Sequence, residues 1–88
     1  MPVIARFYGM VIKMYFQQKE HNPPHFHAEY AGYKALIDIQ NGYVIGGALP
    51  GRQLKYVLAW AEMHQDELMQ NWQLARDSKE LLAIAPLR

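Results

Sequence analysis

His25-Phe26-His27-Ala28-Glu29-Tyr30-Ala31-Gly32-Tyr33-Lys34-Ala35-Leu36-Ile37-Asp38-Ile39-Gln40, followed by Asn41-Gly42, is the stretch that decides the fold of this chain. Polar and apolar residues alternate on both sides of Ala31-Gly32, the period of a half-buried strand, and a two-residue connection containing glycine makes a hairpin of the two runs. With that loop length Tyr30 lies opposite Tyr33. Ala28 then faces Ala35 and Phe26 faces Ile37, an apolar row on one side of the sheet. On the other side Glu29 meets Lys34, His27 meets Leu36 and His25 meets Asp38. Asn41-Gly42 predicts a second hairpin with a type I′ turn, leading into a strand from Tyr43 to Gly47.

Upstream, Val3 to Phe7 and Met10 to Phe16 read as strands, with Gly9 a tight turn or a bulge between them. Gln17 to Pro24 is polar and ends in Pro23-Pro24, which cannot donate ladder hydrogen bonds, and so reads as a surface loop. Downstream, the character changes at Leu49-Pro50-Gly51. From Arg52 to Asp77 neither proline nor glycine occurs, and Leu54, Val57, Leu58, Ala61, Leu68, Trp72 and Ala75 recur at helical spacing. These 26 residues would span about 39 Å as one helix, against a diameter of about 30 Å for a compact domain of this size. A kink is therefore expected at His64 to Asp66, where Gln65 interrupts the apolar stripe and Asp66-Glu67 suits the start of a new helix. A second stripe of Tyr56, Ala59, Trp60 and Met63 is covered either by the folded-back carboxy-terminal segment or by a partner, and Tyr56, Trp60 and Met63 are the expected partner interface. The fold class is α+β: an antiparallel four- or five-stranded meander from residues 1–49 on one long or kinked helix from about 51–77, with an extended tail over 78–88, in one domain.

The chain has 88 residues, a net charge of +1 and no cysteine, which excludes disulfide scaffolds, thiol catalysis and cysteine zinc sites. No stretch has the apolar length of a signal peptide or a membrane span, so the expectation is a cytoplasmic protein without membrane contact. Near-neutral charge argues against coating nucleic acid by bulk electrostatics.

Three of the four histidines fall in His21-Asn22-Pro23-Pro24-His25-Phe26-His27. On a strand His25 and His27 project to one side about 6.6 Å apart, with Glu29 next along. Three readings stand side by side. His25, held by Asp38, with His27 and Glu29 beside it, forms a catalytic acid–base set of the kind that cleaves RNA without a metal. Alternatively His21, His25 and His27 hold a divalent metal such as zinc. The third reading is a solvated polar strand face whose His25–Asp38 contact is purely structural. Arg6, Tyr8 and Lys34 are the expected substrate contacts. His64, alone on the helix, reads as structural.

RFYGMVIKMYF (6–16), HNPPHFHAEYAGYKALIDI (21–39), LPGRQLKYVLAWAEMH (49–64) and ELMQNWQLA (67–75) together resemble the bacterial domain-of-unknown-function family 4160. The resemblance covers nearly the whole chain and carries the His-Asn-Pro-Pro-His-Phe-His motif onto residues 21–27 and the family tryptophans onto Trp60 and Trp72. It implies a toxin-antitoxin component, encoded beside a small antitoxin-like protein that would be its partner; the histidine face adds RNA as the expected substrate, and the second apolar stripe adds a homodimer as the other expected association. A non-enzymatic module that binds a protein or DNA, and a metal-dependent hydrolase, are the alternatives. The family often has aspartate where this chain has Glu20, and its loop at Gln17 is slightly shorter.

Overall fold

A computed structural model describes residues 2–16 and 23–87. Five strands, β1 (Val3–Phe7), β2 (Met10–Lys13), β3 (His25–Tyr30), β4 (Tyr33–Asp38) and β5 (Val44–Gly47), form one antiparallel sheet in chain order. Two helices, α1 (Gly51–Met63) and α2 (Gln65–Arg76), pack on one face of it. None of the described helices is long and apolar enough to cross a membrane.

The central hairpin has the register the sequence predicts, from Tyr30↔Tyr33 through Ala28↔Ala35 and Phe26↔Ile37 to His25↔Asp38. Its turn is left-handed at both central residues, with φ of 47° at Ala31 and 88° at Gly32, so its twist matches that of the strands it joins. Tyr8 (φ 48°) and Gly9 (φ 79°) make an equivalent tight turn between β1 and β2, which pairs Phe7 with Met10.

The expected type I′ turn at Asn41-Gly42 is corrected. Only Gly42 has positive φ there, and the connection is longer: the Asp38 N–H donates to the Tyr43 carbonyl and the Gly42 N–H to the Asp38 carbonyl. The physical reason is Asp38 itself. Its Oδ1 accepts from the backbone N–H of Gln40 at 2.8 Å and of Asn41 at 2.9 Å, while Oδ2 accepts from Asn41 Nδ2 at 3.2 Å. An aspartate that can reach the N–H groups two and three residues ahead closes an Asx-type turn, and the local bond overrides the dipeptide preference.

The inner face of the sheet buries Ile4, Phe7, Met10, Ile12, Phe26, Ala28, Ala35 and Ile37 against Val57, Trp60, Ala61, Leu68, Trp72 and Ala75. The helix breaks at His64 (φ −117°, ψ 27°), within the expected window. The longest dimension of the protein is 33 Å, shorter than the straight helix would be. Gln65, the polar residue in the apolar stripe, donates from Nε2 to the carbonyls of Ile39 and Gln40, so the break is tied to the end of β4. His64 stands at the N-cap position of α2 and its ring pairs with the Glu67 side chain, which accounts for it structurally.

Of the two covers expected for Trp60, the partner is corrected and the folded-back tail is found. The Trp60 side chain is 0% exposed, packing on Phe7 (ring centroids 5.2 Å) and edge-on to Phe26 (5.7 Å). Three residues after Val57, Trp60 lies on the same helical face, and the largest apolar side chain takes the centre of the core. Its Nε1 donates to the Ala85 carbonyl, so the carboxy-terminal segment, and not a partner, covers this tryptophan. Met63 stays 68% exposed and Tyr56 is half-buried against Tyr8. Two further ties hold the tail. The Ile84 N–H donates to the Ile4 carbonyl of β1, and fully buried Asn71 clamps Leu82, giving its Nδ2 hydrogen to the Leu82 carbonyl and accepting the Leu82 N–H on Oδ1.

Two stability predictions follow from these bonds. Asn71→Ala removes both bonds to the Leu82 backbone and is expected to cost about 1 to 3 kcal/mol in urea unfolding; an unchanged midpoint would show that the tail is not clamped. Asp38→Ala should cost about 1 to 3 kcal/mol, whereas Asp38→Asn, whose amide oxygen still accepts both backbone N–H groups, should cost about 1 kcal/mol or less. Equal losses for the two variants would count against the turn-closing role.

Candidate functional site

Both helices lie on one side, so among the described residues no helix covers the opposite side of the sheet. Cross-strand partners share a face, so β1 to β4 align Arg6, Val11, Glu29 and Lys34 in one row. A second row across all five strands contains Val3, Lys13, His27, Leu36 and Gly46. His25 and Asp38 stand opposite one another at the end of β3 and β4.

The two imidazoles are brought together, with ring centroids 5.5 Å apart. They belong to a longer aromatic line that runs from Tyr15, edge-on to His27 at 4.3 Å, to Trp72 of α2, which lies 5.1 Å from His25. Tyr15 extends the alternation of β2 two residues beyond Lys13, which is the signal by which a sequence reading could have found it. Trp72 meets His25 at the first residue of β3, and no local pattern reports that.

His25 is not on a solvated face. It is 7% exposed, and its Nδ1 lies 2.9 Å from the Pro23 carbonyl. A carbonyl only accepts, so Nδ1 carries the hydrogen and Nε2 is the basic nitrogen of the neutral ring. The proline loop therefore sets the tautomer. Asp38 is 1% exposed and stands across the ladder from His25, but its carboxylate oxygens serve the turn after β4. The expected pairing of His25 with the Asp38 carboxylate is replaced by separate local bonds of each residue. All lie within three residues, and all but the one to Asn41 Nδ2 are made to backbone, so they form wherever the strand end is folded.

Glu29 is engaged by Lys13, Nζ to Oε2 at 3.2 Å. Among the described residues neither Arg6 nor Lys34 has an ion-pair partner. These two cations share the outer row, separated by three strand spacings, about 14 Å. Tyr8 does not join them: it sits at the hairpin tip, its ring 4.8 Å from that of Tyr56 on the helical side. His21, the remaining member of the three-histidine metal set, falls outside the described residues, and among those described no group of three metal-ligating side chains gathers.

This end of the sheet thus sets a buried, tautomerically defined imidazole beside a half-buried second one, flanked by aromatic rings, with two cations further along the outer rows. Chemically it can exchange protons between two rings and contact an anion. The chain matches no curated protein and no solved structure. One family model does match, across residues 9–73, from the first hairpin turn past both strand histidines to the second tryptophan, and the chain belongs to the family described as a domain of unknown function, DUF4160.

Proposed function

We propose that this chain acts on RNA through the open face of its sheet, with His25 and His27 as an acid–base pair, as a cytoplasmic component of a bacterial toxin-antitoxin module. The observation that carries the reading is the imidazole pair at 5.5 Å with the His25 tautomer fixed by Pro23. In such chemistry one ring takes the proton of a ribose 2′-hydroxyl as its oxygen attacks phosphorus. The other protonates the departing 5′-oxygen, leaving a 2′,3′-cyclic phosphate and a free hydroxyl. Two imidazoles share this work when one accepts a proton and the other donates one. Arg6 and Lys34 supply charge for the phosphate backbone. The module assignment and the antitoxin-like partner rest on the family resemblance. Of the interface expected for that partner, Tyr56 and Met63 remain at the surface while Trp60 belongs to the core.

A second reading, a non-enzymatic binding module, is favoured by one observation: the Asp38 carboxylate is committed to the turn after β4 and not to the His25 ring. The two readings differ in one assay. With RNA as substrate, His25→Ala and His27→Ala should each lower cleavage about 10² to 10⁴-fold, the usual contribution of general acid–base catalysis, whereas Asp38→Asn should leave the rate within a few-fold of wild type. Wild-type cleavage by both histidine variants at matched folding would overturn the catalytic reading and leave the binding module.

A further inference from the structure

The outer row Val3, Lys13, His27, Leu36, Gly46 ends at a residue without a side chain, and a depression of about 260 Å³ lies there, lined by His27, Lys34, Ala35, Leu36, Gly46 and Gly47. We infer that this depression seats one unpaired nucleobase of single-stranded nucleic acid, with Lys34 at its rim meeting the attached phosphate. The inference rests on reading the open face as an RNA surface, and it names the subsite that would place the chain beside the imidazole pair.

The floor is bare by construction. A Cβ on Gly46 would come within 3.0 Å of Leu36 Cδ1. Gly47 has φ +70°, and a Cβ there would lie 2.1 Å from the Lys34 carbonyl oxygen, so that position requires glycine. The result is flat backbone beside the Leu36 side chain, a surface suited to the face of a planar ring. Sites for whole small molecules run from about 300 to 1,000 Å³, so this one is of a size for a single ring system.

Its surroundings select an anionic ligand. Glu29 is neutralised by Lys13, while Lys34 at the rim and Arg6 in the same row have no ion pair among the described residues. One wall is His27, whose ring is 5.5 Å from that of His25, so a base held here carries its own sugar and phosphate to the imidazole pair. Sequence-tolerant base seating of this kind, together with backbone charge, is how single strands are held without hydrogen-bond readout.

The test uses a single-stranded DNA hexamer, which lacks the 2′-hydroxyl and so reports binding without cleavage, titrated into the isotope-labelled full chain. The expected result is that the amide signals of Leu36, Gly46 and Gly47 shift, and that Gly46→Val, which fills the depression, weakens binding about tenfold. Gly46→Ala serves as the milder variant should valine compromise folding, since the atom it meets is the flexible end of Leu36. Binding that leaves those amides unmoved, equal affinity for wild type and folded Gly46 variants, or no binding at millimolar hexamer would each overturn the subsite. RNA cleavage is measured in parallel. If the hexamer moves these amides but wild type cleaves no RNA, the subsite stands and the catalytic reading falls; if RNA is cleaved at full kcat/KM by Gly46→Val, the reverse holds.

Discussion

The two-residue turn at Ala31-Gly32 is the constraint on which the rest of this protein depends. Both residues adopt positive φ, which pins Tyr30 against Tyr33 and so fixes every pair of the central hairpin as far as His25 and Asp38. Side chains on a strand alternate between faces, so a slip of one residue would bring His25 and His27 to the helices and turn Phe26 and Ala28 to water. Burying a phenylalanine is worth about 1.5 to 3 kcal/mol, and Phe26 sits edge-on to Trp60 at the centre of the core. The position of the histidines is thus enforced by the apolar residues between them. They point to the other side of the strand because Phe26 and Ala28 take the core side.

The same logic explains how much could be read from the chain and where reading failed. The hairpin register, the helix break at His64 and the covering tail were legible, since each follows from periodicity, turn chemistry or a length that does not fit. Asp38 was placed correctly across from His25 but given the wrong bond. A carboxylate at a strand end has two competing sets of donors, and backbone N–H groups two and three residues ahead are near in any folded arrangement, whereas a cross-strand imidazole must also turn toward it. The cover of Trp60 stays open in the sequence, because an apolar residue at a helix flank is covered either by the chain itself or by a partner. That choice was decided by a tail 25 residues away, whose anchor, Asn71, carries no local signature. Tyr15 and Trp72 join the histidines from two different elements, and only the folded chain brings them together.

Replacing a carboxylate partner by a backbone carbonyl changes what His25 can do. The Pro23 carbonyl fixes which nitrogen carries the hydrogen, as a carboxylate would, but as a neutral dipole it stabilises an imidazolium less. Catalysis on this face would therefore draw on the proximity of two rings more than on a charged relay. One rigid device supports this geometry from outside the strand: Trp72 of α2 closes against the His25 ring. The break at His64, tied to β4 through Gln65, is what allows α2 to run where Trp72 can reach it. Core packing, helix geometry and the site are consequently parts of one arrangement.

The most direct test of this account is the protonation pattern of the His25 ring, read from long-range proton–nitrogen NMR correlations on the neutral protein. The account predicts that Nδ1 carries the hydrogen, donated to Pro23, with Nε2 the unprotonated nitrogen, and that Asp38→Asn leaves this pattern unchanged. A hydrogen on Nε2 with Nδ1 bare, or a tautomer that switches when Asp38 is changed, would contradict it.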